Sequence, residues 1–256
     1  MDNVALITGA SSGIGRELAR IHASHNRDLV VVARREDELH ELKRELEGAH
    51  RCTVRVMAAD LTAKGACAKL VKALDQDGVF VEYLFNNAGF GAKGQFHEQK
   101  WSTLEGMIKL NITALTELTH RLLPAMVKYG EGRVLNTSST AGFMPGPLQA
   151  VYFATKAYVN SFSKAVASEL EGTGVTVTAL CPGAVKTEFA DTAGMSDSKL
   201  FEGAKSARYT AERGYAAMEA GELEVITEPA LHAFIKGALP FVPARLAMNQ
   251  VKKMQK

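Results

Sequence analysis

Two side chains that can exchange a proton stand four positions apart in the segment YFATK, residues 152–156. The phenol of Tyr152 has an ordinary pKa of ~10, which suits proton exchange at neutral pH poorly, and a nearby cation such as Lys156 lowers it. An ammonium about 5 Å away, at an effective dielectric of ~20, favours the phenolate by ~3 kcal/mol, or about two pKa units. Residues i and i+4 share a helix face, so the pair predicts acid–base chemistry if the rest of a site exists.

The elements that would position this pair alternate between apolar runs and segments with apolar residues every three or four positions. Such alternation is typical of βαβ units, and almost continuously apolar runs suit strands covered on both faces. We therefore predict an α/β fold, a doubly wound parallel sheet of about seven strands with helices on both faces. Residues 1–256 are expected to form a single domain. The predicted strands are residues 4–8, 28–33, 53–59, 82–86, 133–138, 175–180 and 223–227.

Composition excludes several classes of function. The 256 residues carry a net charge of +2, too small to indicate a nucleic-acid surface. The 3 cysteines form no C-x-x-C pair or disulfide framework, and the residues at hand offer no metal-ligand spacing. The first residues read as a strand and not as a signal peptide, and no apolar run reaches membrane-spanning length. A cytoplasmic protein with no metal site is expected.

A glycine-rich turn, TGASSGIG at residues 8–15, follows the first predicted strand and precedes a helical segment. Glycines there let the backbone approach a diphosphate, and the helix N-terminus favours the anion. Taken alone, the turn is also compatible with a purely structural role. The positions that we assign to dinucleotide binding in this turn are Gly9, Ser11, Ser12, Gly13, Ile14 and Gly15.

The end of the second strand carries Arg34 and Arg35, where an NAD-specific site usually offers a carboxylate to the ribose. A guanidinium can hold a 2′-phosphate by charge-assisted hydrogen bonds. This favours NADP(H), with NAD(H) as the alternative; both arginines can also be read as solvated residues at a helix start. The ends of the third and fourth strands extend the same predicted edge with Asp60 and Leu61, then Asn87, Ala88 and Gly89.

As a set, TGASSGIG, NNAG, KLNIT, NTSSTAG, YFATK and PGAVKT resemble the motifs of the short-chain dehydrogenase/reductase family in order and spacing. The resemblance covers the chain from about Val4 to Thr187 and implies a Rossmann-type fold, a nicotinamide cofactor and hydride transfer. It implies that Tyr152 is the general acid in carbonyl reduction and the base in alcohol oxidation, and that Ser139 polarises the substrate oxygen. Lys156 would bind the nicotinamide ribose, and Asn111 would support a proton-relay water.

The same resemblance assigns PGAVKT to the nicotinamide carboxamide, through Pro182, Gly183, Val185 and Thr187. It also implies a homodimer or homotetramer. In the family the serine stands 13 residues before the tyrosine, so the resemblance assigns the catalytic role to Ser139 and not to its neighbour Ser138.

Two segments bear on the substrate. The segment 186–209, called here the lid, carries Phe189, Met195, Leu200 and Phe201, and an opposite rim would include Phe90, Phe143 and Met144. These residues predict an apolar pocket, and packing within the lid itself is an equal alternative for several of them. The segment 229–256, called here the tail, mixes apolar and basic residues. It suits a helix packed on the domain or on a partner subunit, and less favourably a membrane surface.

The leading hypothesis is an NADP(H)-dependent oxidoreductase acting on a hydrophobic ketone, aldehyde or 3-oxoacyl compound. An alcohol or hydroxysteroid dehydrogenase that works mainly in oxidation is an alternative within enzymes. An NADP-binding regulatory protein is an alternative from another class, although such a protein would not need Tyr152 and Lys156.

Overall fold

A computed structural model describes residues 3–195, 198, 201 and 203–255. All seven predicted apolar runs form strands of one parallel sheet, which confirms the doubly wound α/β architecture. The strands are β1 (Asn3–Thr8), β2 (Asp28–Ala33), β3 (Val54–Ala58), β4 (Phe80–Asn86), β5 (Gly132–Thr137), β6 (Val175–Cys181) and β9 (Glu224–Ile226). Two further short strands, β7 (Val185–Lys186) and β8 (Lys205–Ser206), pair with each other in the lid and were not predicted.

Helices cover both faces of the sheet because their apolar positions recur at helical spacing. One face is covered by α1 (Gly13–Ser24), α2 (Glu36–Ala49) and α8 (Ala207–Glu219), whose buried residues share a core with β1 and β2. The other is covered by α3 (Ala66–Gln76), α5 (Leu115–Tyr129) and α6 (Ala150–Glu169). Burial on both faces explains why the central strands are almost entirely apolar.

The strand order β3-β2-β1-β4-β5-β6-β9 reverses direction at β1. Ala5 of β1 pairs with Leu29 of β2 on one side and with Tyr83 of β4 on the other. Ligands of open α/β sheets bind outside the carboxyl ends of the strands at such a reversal. The turns that follow β1, β2, β4, β5 and β6 therefore lie at the edge where a site is expected.

A long helix on the second face contains an irregular turn. The helix α4 (Trp101–Ile108) continues through a π-helical turn (Lys109–Ala114) into α5. Such turns accommodate one extra residue per turn and are frequent at functional sites. Asn111 lies in this turn and is almost fully buried.

The lid and the tail lie above the carboxyl edge of the sheet. The lid contains the short helix α7 (Phe189–Thr192), and the tail contains α9 (Pro229–Ala233), a π turn (Phe234–Ala238), a 3-10 turn (Leu239–Phe241) and α10 (Ala244–Met254). In the described part of the chain, we find no helix with the length and apolar character needed to cross a bilayer.

Candidate active site

A cavity of about 810 Å³ opens at the carboxyl edge of the sheet. It brings together most residues predicted from the sequence. Those that line it are Gly9, Ser11, Ser12, Gly13, Ile14, Arg34, Arg35, Asp60, Leu61, Asn87, Ala88, Gly89, Ser139, Tyr152, Lys156, Pro182, Gly183, Val185 and Thr187. Gly15 and Asn111 are not among the lining residues. They contact residues that are: Gly15 packs against Gly9 and Asn87, and Asn111 bonds to the backbone of Phe90.

The turn between β1 and α1 is tightly packed. Gly9 and Gly13 have φ angles of +69° and +54°, in the left-handed region that favours glycine. A Cβ on Gly15 would lie 2.4 Å from the carbonyl oxygen of Gly9 and 2.5 Å from Nδ2 of Asn87. The turn therefore needs glycine for its backbone conformation and for its packing, and it places the N-terminus of α1 at the cavity, as an anion site requires.

Thr8, which sequence reasoning did not single out, ties this turn to the end of β4. Its hydroxyl donates to the carbonyl of Phe85 at 3.2 Å and accepts from the backbone N–H groups of Asn87 and Ala88, both at 3.0 Å. Nδ2 of Asn87 in turn donates to the carbonyl of Thr8 at 3.1 Å. Thr8 is the first residue of the glycine motif, so the signal was present in the sequence.

The two arginines after β2 differ in their partners. Arg35 donates to both carboxylate oxygens of Glu188 in the lid, at 2.8 and 3.2 Å, and to the hydroxyl of Ser11 at 3.2 Å. The hydrogen bond lowers the pKa of Glu188 and raises that of Arg35. Arg34 is exposed and also lines the cavity. A carboxylate thus competes for one predicted phosphate-binding cation, which the sequence did not reveal.

Asp60 follows the end of β3 and lines the same cavity as the two arginines. Its Oδ1 accepts from the backbone N–H of Thr62 at 2.9 Å and from the hydroxyl of Thr62 at 2.7 Å. These bonds, with a smaller contribution from Arg34, lower the pKa of Asp60. The carboxylate therefore stays ionised and able to accept a hydrogen bond from a nucleoside.

Tyr152 faces the cavity from the first turn of α6 and is 9% exposed. Burial raises the pKa of its phenol to about 12, and a hydrogen bond with the side chain of Ser139 acts in the opposite direction. Ser139 lies just after β5, and its own hydroxyl accepts from the N–H of Ala141 at 3.1 Å. The two hydroxyls thus meet at one wall of the cavity.

Lys156 is 5% exposed, and its Nζ donates to the carbonyl of Thr137 at 2.7 Å and lies 5.8 Å from the centroid of the Tyr152 ring. Burial lowers the pKa of Lys156 to about 8. The expected depression of the Tyr152 pKa is therefore corrected by the structure. Desolvation dominates the phenol, and the Ser139 hydrogen bond only partly offsets it, while the charged form of Lys156 is itself destabilised by burial.

Asn111 holds the loop after β4. Its Oδ1 accepts from the N–H of Phe90 at 3.1 Å, and its Nδ2 donates to the carbonyl of Phe90 at 3.0 Å and to the hydroxyl of Thr155 at 3.1 Å. A Cβ on Gly89 would lie 3.1 Å from Oδ1 of Asn111 and 3.5 Å from Nζ of Lys156. Both side chains thus lie next to Gly89, and the polar atoms of Asn111 are engaged in positioning the loop; its role toward a water stays a prediction.

Apolar residues form the rest of the cavity. Of the predicted lining, Phe90, Met144, Phe189, Met195 and Phe201 are present, whereas Leu200 lies outside the described residues. Phe143 is a wrong prediction. Its ring does not line the cavity and lies 5.3 and 5.5 Å from the ammonium groups of Lys236 and Lys164.

The tail forms a large part of the apolar wall, which sequence reasoning missed. Val251 of α10 packs against the cluster that contains Tyr152, and Ile235 packs beside the end of β6. The apolar face of the tail thus contacts the domain, one of the alternatives considered for it. The tail residues that line the cavity are Leu231, Phe234, Ile235, Leu239, Ala247, Gln250, Val251, Met254 and Gln255.

Comparisons with known proteins agree with this arrangement. The sequence profile of the short chain dehydrogenase family matches residues 3–197. A sulfoacetaldehyde reductase from Chromohalobacter salexigens is 40% identical over 194 residues, which cover 74% of this chain and 75% of the relative.

Two solved structures show the same fold with a nicotinamide dinucleotide bound. A short-chain dehydrogenase from Sphingobium yanoikuyae in complex with NADPH has 32% identity and a TM-score of 0.85, over 98% of this chain and 96% of that one. A short chain dehydrogenase/reductase from Burkholderia phymatum in complex with NAD has 27% identity and a TM-score of 0.84, over 92% of each chain. Since profile, relatives and fold agree with a complete Ser–Tyr–Lys wall, the chain belongs to the short-chain dehydrogenase/reductase family of oxidoreductases.

Proposed function

We propose that this protein reduces a carbonyl compound with NADPH, and that Tyr152 donates the proton to the carbonyl oxygen. The observation that carries the proposal is the meeting of Tyr152, Ser139 and Lys156 at one wall of a cavity whose other end is the glycine-rich turn after β1. Bound NADPH supplies the hydride that adds to the carbonyl carbon. The products are an alcohol and NADP⁺.

The protein residues have separate tasks in this reaction. Tyr152 gives its phenolic proton to the oxygen as the new C–H bond forms, and Ser139 donates a hydrogen bond that orients the same oxygen. Lys156, whose Nζ donates to the carbonyl of Thr137, would bind a ribose hydroxyl of the cofactor. The buried wall excludes water, which strengthens each of these interactions.

Burial raises the pKa of Tyr152 to about 12, so the phenol carries its proton at neutral pH and can act as the proton donor of the reduction. The same group would accept the proton in the reverse reaction, so the alternative of a dehydrogenase that works mainly in oxidation uses the same residues, and the ratio of reduced to oxidised cofactor sets the direction.

We propose NADP(H) as the preferred cofactor. Arg34 is exposed at the cavity, and Arg35 lies beside Ser11 of the glycine turn, so both can reach a 2′-phosphate. A charge-assisted hydrogen bond contributes roughly 1.5–3 kcal/mol, or about 10- to 100-fold in affinity. The preference for NADPH over NADH should fall by such a factor in Arg34→Ala or Arg35→Ala, measured by fluorescence titration; a ratio near one in the wild type would contradict the proposal.

The substrate we propose is a ketone or aldehyde with an apolar part that contacts the lid and the tail. Phe189, Val251 and Ile235 are typical of the surfaces that enclose such a part. The sulfoacetaldehyde reductase named above acts, by its name, on a small aldehyde, which supports carbonyl reduction as the reaction class here.

The test is the loss of NADPH absorbance with a panel of aldehydes and ketones. Tyr152→Phe should lower kcat by about 10²–10⁴-fold, the usual contribution of a general acid, with NADPH affinity retained. Tyr158→Phe is the matched control, because this tyrosine of the same helix is exposed and bonds only to the hydroxyl of Thr116 among the described contacts. Full activity in Tyr152→Phe would sink the mechanism, and NADPH binding without turnover of any carbonyl would favour the regulatory alternative.

We also propose a single domain over residues 1–256, a homodimer or homotetramer, and a cytoplasmic location. Size-exclusion chromatography with light scattering tests the oligomeric state. These three statements rest on the sequence and on the family to which the chain belongs.

A further inference from the structure

The tail carries charge of one sign only. Its sequence contains no aspartate or glutamate, although the whole chain is nearly balanced, with 30 basic and 28 acidic residues. The basic residues of the tail are Lys236, Arg245, Lys252, Lys253 and Lys256. Lys236 pairs with Glu224 of β9, whereas Arg245, Lys252 and Lys253 take part in none of the ion pairs found among the described residues. Within the described part of the chain, the charges of these three side chains are therefore not neutralised.

The helix α10 of the tail has two faces with different surroundings. Ala247, Val251 and Met254 line the cavity, and their spacing places them on one face of the helix. At about 100° per residue, Arg245 and Lys252 lie on the opposite face, and both are exposed. The apolar face of α10 thus packs on the domain, and the cationic face is directed away from it.

Two large apolar side chains lie among these cations. Phe241, in the 3-10 turn before α10, is 86% exposed, the highest value for any large apolar side chain that the structure describes. Leu246 of α10 is 61% exposed. Neither residue lines the cavity. This part of the tail therefore offers apolar and cationic groups together, as segments that lie in a membrane interface do.

We propose that the outer side of the tail, formed by Phe241, Arg245, Leu246, Lys252 and Lys253, docks on a membrane surface that carries anionic lipids. The phenyl ring and the leucine side chain would enter the boundary between headgroups and acyl chains. The three cations would stay at the level of the headgroups, where the negative surface potential attracts them. Docking of this kind does not depend on the reductase chemistry.

The charge of the tail disfavours other occupants of this surface. A two-fold contact between two copies of the chain would bring the same cations face to face, and like charges repel. A nucleic-acid duplex would attract the cations, but its phosphate surface has no apolar region for Phe241 and Leu246. An anionic bilayer meets both requirements, because its headgroups are charged and the layer below them is apolar.

Docking would bring the substrate end of the cavity close to the lipid. The inner face of α10 lines the cavity and its outer face would contact the headgroups, so one helix, about 10–12 Å across, separates the two. This arrangement suits an apolar carbonyl compound that is dissolved in the membrane. Only this consequence for the substrate rests on the proposed function.

The test is sedimentation of the full-length protein with phosphatidylcholine vesicles, with and without phosphatidylserine. The wild type should sediment with the anionic vesicles at low salt and be released at high salt, which screens the surface potential. Lys252→Gln/Lys253→Gln should lower the partition coefficient by roughly 25-fold, or about fivefold per charge. Phe241→Ser should lower it by about 10-fold through lost apolar burial.

Matched controls carry the same chemical changes elsewhere on the surface. Lys69→Gln/Lys72→Gln removes two exposed lysines of α3, and Phe96→Ser removes a phenyl ring that is 60% exposed. Both controls should sediment like the wild type. Because none of the residues changed in the tail variants or in the controls lines the cavity, unfolding temperature and NADPH binding should stay near those of the wild type in every variant.

Three results would overturn the proposal. They are no sedimentation of the wild type with anionic vesicles at low salt, equal sedimentation with and without phosphatidylserine, and tail variants that bind vesicles like the wild type. A change of oligomeric state in Phe241→Ser with unchanged vesicle binding would assign the surface to a second copy of the chain. Tyr152→Phe should still sediment with the vesicles, so a failure of the reductase mechanism and a failure of docking are distinguishable.

Discussion

The two ends of the cavity are built in different ways. The cofactor end consists of turns that directly follow parallel strands, and the hydrogen-bond register of the sheet fixes their backbone positions. The substrate end consists of the lid and the tail, which contribute mainly side chains to the wall. The comparison teaches that backbone geometry should govern cofactor binding, whereas side-chain packing should govern substrate choice.

The substitution at the cofactor end with the largest expected effect on NADPH affinity is Gly15→Ala. The added methyl would meet the carbonyl of Gly9 at 2.4 Å, and overpacking costs roughly 1–3 kcal/mol; if the whole cost falls on the bound state, NADPH affinity falls by about 5- to 150-fold. Fluorescence titration and thermal unfolding measure the effect. Gly48→Ala is the control, because nothing lies within 4 Å of that position in α2 and alanine is the better helix former. Wild-type NADPH affinity in Gly15→Ala would contradict a backbone-governed site.

The junction of the two ends should respond to pH. Lys156, with a pKa lowered to about 8, is protonated below that pH and loses its charge above it, whereas Tyr152, with a pKa near 12, keeps its proton throughout. The kcat/KM for reduction should therefore be level below pH 8 and fall above it, together with the charged fraction of Lys156. A profile that stays level well above pH 8 would show that this charge is not needed.

The substrate end can be changed separately through Gly91→Ala. A Cβ there would lie 2.8 Å from Cζ of Phe189 and 3.2 Å from Cδ2 of Tyr152, so the ring of Phe189 must move. We expect KM for the carbonyl substrate to change by up to about tenfold, equivalent to ~1.4 kcal/mol of altered packing, with NADPH affinity unchanged. Gly237→Ala, in the tail with nothing within 4 Å, is the control. A loss of NADPH affinity in Gly91→Ala would contradict the expectation that the two ends of the cavity can be changed independently.

The smallest expected effect concerns Glu188, a side chain of the lid that pairs with Arg35 at the cofactor end of the cavity. Glu188→Gln frees Arg35 for a phosphate and should raise NADPH affinity by about 1.4- to 5-fold, the equivalent of an exposed ion pair of ~0.2–1 kcal/mol. Glu212→Gln removes a comparable exposed pair with Arg208 and is the control. Weaker NADPH binding in Glu188→Gln would show that this carboxylate supports the cofactor instead of competing for Arg35.

The sequence was sufficient to predict the sheet and the positions around the cofactor end. Continuous apolar runs signal buried parallel strands, and a turn directly after a strand inherits its place from the sheet. The residues from Gly9 to Thr187 that carry the motifs therefore come together as expected, although the roles assigned to them stay predictions.

The substrate end could be predicted only in outline. The apolar spacing of the tail is the same whether that face packs on a membrane, a partner or the lid, so Val251 gave no sign of its contact with the Tyr152 cluster. Neighbouring apolar residues in a loop cannot be assigned to opposite sides, which is why Met144 was correct and Phe143 was not. The direction in which the pKa of Tyr152 shifts depends on how deeply the phenol is buried, and the spacing of residues in the sequence does not reveal burial.

The π-helical turn at Lys109–Ala114 makes the length of its helix more restrictive than its composition. Removing one residue there would restore a regular helix and keep the segments on both sides in their present orientation, because the π turn already takes up one residue more than an α-helical turn. Adding one residue would instead rotate everything before the turn by about 100° around the axis. Leu104 and Met107 would then leave the cluster that supports Tyr152. A single-residue insertion in this stretch should therefore be more damaging than a single-residue deletion.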